Sequence, residues 1–228
     1  MKIKNPFKTL SGFETGLWII SVTVVLISSF FSGTQGIFSG AASLIGVTAL
    51  IFVAKGMITG QVLTIVFAFM YGTISLFFKY YGEVATYAGM TLPMALASLI
   101  SWLRHPYKDT GEVEIDHLNF KKIFFVALSG VAATVAFYFI LKALGTANLI
   151  VSTISITTSW VACCLTFLRS PYYALAYSLN DIVLIVLWIS AAVTDLFCLP
   201  MVFCFIMFLA NDIYGFYNWK KMQKRQER

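Results

Sequence analysis

Eight apolar runs, separated by short connections, constrain the fold of this chain more than any other feature of its sequence. A helix that rises about 1.5 Å per residue needs roughly 20 residues to cross the hydrocarbon core of a bilayer. The runs lack the period-two alternation of barrel strands, so helices must satisfy the backbone polar groups in lipid. The predicted spans are residues 16–31, 41–54, 62–78, 85–102, 123–144, 149–168, 172–192 and 196–219, and the second is short enough that it is expected to begin near Ile37.

The distribution of basic residues supports eight crossings. If the N-terminus is cytoplasmic, fourteen of the sixteen Lys and Arg residues lie on the cytoplasmic side, and only Lys79 and Lys142 lie outside. Basic residues in loops set the orientation of a membrane protein because they are retained in the cytoplasm. A wrong number of spans would invert every later loop and scramble this partition. The sequence therefore predicts eight spans with both termini in the cytoplasm.

The composition excludes an ordinary soluble domain. Mean hydropathy is +0.84, 59% of the residues are hydrophobic and only 11% are charged, whereas a soluble domain has about twice that charged fraction. The net charge of +6 is dispersed over loops and ends rather than interleaved with aromatic residues on one face, so nucleic-acid binding is not expected. The predicted class is an all-α polytopic membrane helix bundle, with lipid as its surroundings.

A weak internal similarity suggests a duplicated core. A shift of 117 residues places Trp102 on Trp219 and Tyr71 on Trp188. The second to fourth and the sixth to eighth spans both begin outside and end inside, so two parallel triplets joined by one linker helix are predicted. The predicted units are an N-terminal segment with an extra helix (1–36), a first triplet (37–102), a cytoplasmic loop with the linker helix (103–148), a second triplet (149–219) and a basic cytoplasmic tail (220–228).

Three acidic residues are candidates for a functional site, at different depths in the predicted spans. Asp181 lies near the middle of the seventh span, Asp212 lies in the eighth, and Glu83 lies only at the outer end of the third or fourth. An ionisable side chain at the bilayer centre costs about 2.5–3.5 kcal/mol on insertion scales, so it indicates a functional site. No Lys or Arg is predicted at a comparable depth. We therefore expect these acids to face a polar cavity, to share hydrogen bonds or to be protonated.

Amide and aromatic side chains accompany the acids at helical spacing. Asn180 and Trp188 share a face of the seventh span, and the eighth span carries a polar and aromatic stripe. Such residues often only join helices, at about 0.6 kcal/mol per hydrogen bond, or anchor the membrane interface. The predicted substrate-binding residues are Gln61, Tyr71, Trp160, Asn180, Asp181, Trp188, Asn211, Asp212 and Tyr214.

These residue types suit a flat heterocycle that carries a sugar. Amides read hydrogen-bonding edges, aromatic rings stack on bases for about 1–3 kcal/mol each, and a cationic ring would also gain from π-faces and acids. A phosphorylated substrate would require a basic clamp that the spans lack. No nucleophile with its base, metal-ligand spacing or phosphate cradle is evident, so neither catalysis nor a cofactor is expected. An integral membrane enzyme or a structural protein is a further alternative, beside the two transporter hypotheses given below.

The segment 168–220 resembles a known family. It contains LRSPYYALAYSLNDIVLIVLW at 168–188 and the run N-D-x-Y-G-x-x-x-W at 211–219, which resemble the PnuC family of bacterial nicotinamide riboside transporters. The resemblance implies a SWEET-like fold with a 3+1+3 duplication, a homotrimer, and uptake of nicotinamide riboside across the inner membrane. It also implies facilitated diffusion, with the substrate trapped by intracellular phosphorylation.

The leading hypothesis assigns Asn180, Asn211 and Gln61 to the ribose hydroxyls or the carboxamide, and Trp188, Tyr214 and Tyr71 to the walls around the ring. The alternative is a proton-coupled carrier of a related vitamin or nucleoside, such as thiamine or riboflavin. In that case Asp181 or Asp212 would be the proton site.

Overall fold

Long apolar α-helices joined by short connections make up the computed structural model, which describes residues 6–30, 33–77, 81–146, 148–194 and 199–228. A 3₁₀ turn (Pro6–Thr9) precedes the first helix, a π-helical turn (Tyr87–Thr91) joins α4 to α5, and a short hairpin of β1 (Pro106–Tyr107) and β2 (Glu112–Val113) follows α5. The helices are α1 (Gly12–Phe30), α2 (Gly33–Ala54), α3 (Ile58–Phe77), α4 (Tyr81–Thr86), α5 (Leu92–Arg104), α6 (Phe120–Ala143), α7 (Leu149–Phe167), α8 (Tyr172–Thr194) and α9 (Leu199–Gln226).

Seven helical stretches of the described chain are long and apolar enough to cross a membrane, and α2 adds a shorter apolar stretch, Gly40–Ala54. The prediction of an all-helical, multi-pass membrane bundle is therefore confirmed at this level, with the small hairpin as an addition. One boundary differs: α9 continues to Gln226, so most of the predicted tail is helical. Lys2, Lys4 and Lys79 lie outside the described residues.

The described chain begins and ends at the same end of the bundle. Near its start, Glu14 accepts hydrogen bonds from Lys55 at 2.8 Å and from Tyr214 at 2.6 Å. Near its end, the Gln226 carboxamide bonds the backbone of Val113 and Ile115. We call this the basic end, because Lys55, Arg169 and the last turns of α9 meet there.

The helix packing relates two sets of three elements. In the first set α2 packs on α3 and α3 packs on α5, and in the second α7 packs on α8 and α8 packs on α9. Between the sets, α2 packs on α9 and α7 packs on α5. The first element of each set therefore contacts the last element of the other. α1 packs on α2 and α9, and α6 packs on α7.

The turns that end α2 and α7 have the same hydrogen bonds. Gly56 N–H donates to the Val53 carbonyl at 2.8 Å, and Arg169 N–H donates to the Thr166 carbonyl at 3.0 Å. Both donor residues have left-handed backbones, with φ of 64° and 54°. Glycine adopts this conformation readily, but arginine does so at a cost. The turns correspond at an offset of 113 residues, the difference between Arg169 and Gly56.

Four polar groups hold the Arg169 side chain in this strained turn. Its guanidinium donates to Ser101 Oγ at 3.0 Å, to the Glu114 carbonyl at 3.0 Å and to Asp116 Oδ2 at 3.2 Å, and it lies 2.8 Å from His105 Nδ1. A buried guanidinium is stable only when its donors and its charge are satisfied in this way. The contacts join α5, α7 and the segment after β2.

Two buried tryptophans each donate a hydrogen bond to a backbone carbonyl of the other set, and we call this pair of bonds the tryptophan exchange. Trp102 of α5 donates its indole N–H to the Thr166 carbonyl at 3.0 Å, and Trp219 of α9 donates to the Val53 carbonyl at 2.9 Å. Their rings lie 5.4 Å apart. The preceding residues repeat the exchange, because Ser101 donates to the Phe167 carbonyl at 2.8 Å and Asn218 donates to the Ala54 carbonyl at 2.8 Å.

The segment from Val113, the last residue of β2, to Asp116 connects the two matching turns. Val113 N–H donates to the Gly56 carbonyl at 2.9 Å, and Asp116 N–H donates to the Arg169 carbonyl at 3.1 Å. Asp116 also accepts from Lys122 at 2.6 Å. This segment, residues 113–116, therefore bridges both sets at the basic end, and we call it the strap.

Replacing either buried tryptophan by phenylalanine should destabilise the protein by about 1–3 kcal/mol, because a buried carbonyl loses a donor and the smaller ring leaves a void. Trp18→Phe is the matched control, since Trp18 is only half-buried and donates to a hydroxyl, Thr48 Oγ1, at 3.1 Å. Thermal unfolding in detergent should show a larger loss for W102F and W219F than for W18F. Equal losses would contradict the importance assigned to the exchange.

The strap should make stability depend on acid pH. Partial burial raises the pKa of Asp116, but the hydrogen bond and charge of Lys122 and the charge of Arg169 outweigh it, so the pKa lies below its usual range. The ionised group therefore stabilises the fold above its unfolded pKa of about 3.9, and this contribution is lost as the pH falls through the lower folded value. Melting temperatures between pH 6 and 3 should fall more steeply for the wild type than for Asp116→Asn. Parallel profiles would count against this role.

Candidate functional site

A cavity of about 790 Å³ lies between the two sets of helices. α2, α3 and α4 line it from one side and α7, α8 and α9 from the other. At the basic end its lining includes Val53 and Thr166, whose carbonyls bond the two tryptophans, and Tyr173, whose ring is 4.7 Å from that of Trp219. The tryptophan layer therefore forms the floor of the cavity. Toward the opposite end the lining reaches Gly82 and Thr146.

Six of the nine residues predicted for the site line this cavity. The face of α8 that carries Asn180, Leu184 and Trp188 faces the cavity, so the helical spacing identified it from the sequence. The six are Gln61, Tyr71, Asn180, Asp181, Trp188 and Asp212.

Asn180 is held in one orientation by α7. Its Oδ1 accepts hydrogen bonds from Ser155 and Thr158, both at 2.9 Å. Because the acceptor is occupied twice, the remaining hydrogen-bonding capacity of the side chain lies in its Nδ2 donors. No described residue accepts from Nδ2, and the residue lines the cavity. Asn180 is therefore a preorganised donor for a hydroxyl or carbonyl group of a ligand.

Gln61 and Asp181 also line the cavity with polar atoms that no described residue hydrogen-bonds. Gln61 is 2% exposed and lines the cavity, and no described residue hydrogen-bonds to its carboxamide. Asp181 is 3% exposed, and its Oδ2 has no hydrogen-bond partner among the described residues. A buried polar atom without a partner costs roughly 1–3 kcal/mol relative to a satisfied one. Both groups therefore favour a ligand or ordered water that supplies the missing bonds.

The carboxyl groups of Asp181 and Asp212 are close neighbours that interact across α8 and α9. Asp212 also acts electrostatically on the hydroxyls of Tyr173 and Tyr177, and the Tyr177 hydroxyl lies 3.2 Å from Cys163 Sγ. This cluster lies beside the floor of the cavity.

The structure places the other three predicted residues against neighbouring helices. Trp160 donates its indole N–H to Ser129 of α6 at 3.2 Å, Asn211 donates to Ser21 of α1 at 2.9 Å, and Tyr214 donates to Glu14 of α1 at 2.6 Å. None of them is among the described lining residues. Asn211 faces α1, although its neighbour Asp212 lines the cavity. The predicted stripe on α9 is therefore a packing surface.

The predicted site residues did not include Glu83, which was placed only at the outer end of a span, and they did not include Tyr87. Both line the cavity, Glu83 accepts a hydrogen bond from Ser75 at 3.1 Å, and the Tyr71 hydroxyl lies close to its carboxyl group. The π-helical turn Tyr87–Thr91 shifts the register of this helix so that Tyr87 lies over Tyr71, with ring centroids 4.5 Å apart. Pro93 follows the turn and lacks an N–H group, which was the available sequence signal for a distortion.

The charge of the lining is acidic. Glu83, Asp181 and Asp212 contribute carboxyl groups, and no described lining residue is Lys, Arg or His. The described residues also hold no group of three or more His, Cys, Asp or Glu residues that could bind a metal ion. The site can therefore bind by hydrogen bonds, aromatic contacts and attraction to positive charge.

A polytopic helix bundle with a polar, aromatic cavity between two sets of helices defines a membrane-transporter type of protein. The comparisons agree. The profile of the family described as "Nicotinamide mononucleotide transporter" matches residues 36–221, so the chain belongs to that family. This confirms the family predicted from the run at 211–219.

Two relatives extend the comparison. The protein named Nicotinamide riboside transporter PnuC from Neisseria mucosa is 25% identical over 214 residues, which cover 92% of this chain and 81% of the relative. The structure titled "Crystal structure of the Vitamin B3 transporter PnuC" matches with a TM-score of 0.79 and 24% identity, over 95% of this chain and 94% of the other. The structural match shows that the fold is shared.

Proposed function

We propose that this protein carries nicotinamide riboside across the membrane. The observation that carries the proposal is the cavity between the two sets of helices, in which amides and rings are available and basic side chains are lacking among the described lining residues. The family and the name of the Neisseria relative support the same substrate class. The mononucleotide differs from the riboside by a phosphate, which an acidic lining would repel.

The proposed architecture has eight crossings, with triplets at 37–102 and 149–219 joined by α6. The matching turns and the tryptophan exchange support this duplication. The turns that end α2 and α7 correspond at an offset of 113 residues, and the two tryptophans correspond at an offset of 117 residues. The turn offset pairs Trp188 with Ser75, and Tyr71 with Leu184, rather than Tyr71 with Trp188. We place the basic end and both termini in the cytoplasm, because loop Lys and Arg favour that side.

In the proposed complex, Asn180 donates to a ribose hydroxyl or to the carboxamide oxygen, and Gln61 supplies both a donor and an acceptor. Trp188 and Tyr71 stack against the ring, because both line the cavity. The acidic side chains of the lining attract the positively charged nicotinamide ring of the substrate. These contacts divide the recognition between both sets of helices, as a site at their interface requires.

Alternating access requires the floor of the cavity to open. The tryptophan exchange and the strap hold the basic end closed, so release into the cytoplasm must separate Trp102 from α7 and Trp219 from α2. We propose that the two triplets rock against each other at this layer. Transport is then facilitated diffusion, and net uptake is inward because the substrate is phosphorylated inside the cell.

We further propose a homotrimer in the bacterial inner membrane, which native mass spectrometry in detergent can test.

Two matched pairs of variants test the site. Asn180→Ala and Trp188→Ala should each weaken nicotinamide riboside binding at least about tenfold, because each removes a contact worth about 1–3 kcal/mol. Asn211→Ala and Trp160→Ala are the controls, since these residues contact α1 and α6. Isothermal calorimetry on folded, purified proteins measures the difference. If the cavity variant and its control lost the same affinity in each pair, the cavity would not be the binding site.

Calorimetry of the wild type against three vitamins tests the substrate. Nicotinamide riboside should bind, whereas thiamine and riboflavin should bind at least about tenfold more weakly. Riboflavin lacks the positive charge, and thiamine lacks the ribose. Tighter binding of either vitamin would replace the proposed substrate.

Proton coupling is the second candidate, and the Asp181–Asp212 pair favours it, because two carboxyl groups in contact can hold a shared proton. Substrate flux into proteoliposomes with and without a pH gradient distinguishes the two mechanisms. Facilitated diffusion predicts equilibration at equal concentrations under both conditions. Accumulation that follows the gradient and is lost in Asp181→Asn would establish coupling instead.

A further inference from the structure

We propose that Glu83 makes the cavity selective for the positively charged ring, so that the protein discriminates nicotinamide riboside from its reduced 1,4-dihydro form. The inference rests on the proposed function, because it concerns the ring of that substrate. The glycosylated ring nitrogen of nicotinamide riboside carries a positive charge, and reduction at C4 removes the charge while it changes the shape little. A site that recognises the charge therefore separates the two forms.

The position of Glu83 supports this role. Its carboxyl group accepts a hydrogen bond from Ser75 Oγ at 3.1 Å, and the Tyr71 hydroxyl lies close to it; both residues are on α3. These neutral hydroxyl groups do not cancel the charge of the carboxylate. No described Lys, Arg or His lines the cavity to form an ion pair with it. Glu83 is thus an acidic group with no countercharge among the described lining residues.

An aromatic cluster surrounds the same place. The rings of Tyr71 and Tyr87 lie 4.5 Å apart, and the Phe67 ring lies 5.6 Å from Tyr71 and 5.7 Å from Tyr87. All three line the cavity. The face of an aromatic ring attracts cations, so the cluster and the carboxylate favour the same charge. A neutral ring would gain only the stacking contribution.

Asp181 adds a second acid from the opposite set of helices. Both Glu83 and Asp181 act electrostatically on the Tyr87 hydroxyl, so both acids lie near it. The Oδ2 atom of Asp181 is buried and has no hydrogen-bond partner among the described residues. A buried carboxyl oxygen without a partner is unfavourable until a cation or a donor reaches it. This independent observation also indicates a positively charged ligand.

Calorimetry on the purified full-length protein tests the inference with two ligands, nicotinamide riboside and its reduced form. The wild type should bind the cationic form at least about tenfold more tightly, because opposite charges attract strongly in a cavity of low dielectric constant. Glu83→Gln keeps the size and one acceptor oxygen but removes the charge, so it should lose most of this preference. Glu83→Asp keeps the charge and should retain part of it. The control is Glu112→Gln, an acid of the hairpin that pairs with Arg225 outside the cavity.

Each outcome separates the inference from the proposed function. A wild type that binds both forms equally, or an E83Q protein that keeps the full preference, would overturn the role of Glu83 and leave riboside transport standing. A wild type that binds neither form would overturn the proposed function and the inference with it. The wild-type comparison needs no variant, so it decides the selectivity even if E83Q does not fold.

Discussion

The exchange of indole hydrogen bonds at the basic end is the interaction on which the rest of the structure depends. The Val53 and Thr166 carbonyls at the ends of α2 and α7 each accept one hydrogen bond from their own turn and keep a second lone pair for another donor. Trp102 and Trp219, each from the other set of helices, supply donors to these turns. The two sets therefore satisfy each other only when they are assembled. The same layer closes the cavity, so the stability of the fold and the closure of the transport path have a common cause.

Periodicity in the sequence identified the faces of helices but not their partners. On α8 the face of Asn180 and Trp188 meets the cavity, whereas on α9 the stripe of Asn211, Tyr214 and Trp219 meets α1 and α2. Both stripes have the same residue types and the same spacing, and only the three-dimensional packing separates them. The distribution of basic residues was more informative, because it reflects the whole topology, and the described residues of the predicted inner loops do meet at one end.

The first set of helices was harder to predict because its chemistry differs from that of the second. The turn offset of 113 residues pairs Asn180 with Phe67 and Trp188 with Ser75, so corresponding positions carry a ring on one side and a polar group on the other. A search for repeated motifs therefore finds little in the first half. The π-helical turn adds a local change of register that brings Tyr87 to the cavity, and no periodic pattern with a fixed repeat predicts such a change.

The polar groups of the cavity explain why a site of this kind must be occupied by water or ligand. Gln61 and the Oδ2 atom of Asp181 are buried without protein partners among the described residues, and the Nδ2 donors of Asn180 are likewise unused. An apolar occupant would leave these groups desolvated at a cost of roughly 1–3 kcal/mol each. A ligand with hydroxyl and amide groups restores the bonds and also displaces ordered water. A ligand that leaves some of these polar groups unpaired binds more weakly than one that pairs them all. This difference discriminates between ligands more strongly than the size of the cavity does.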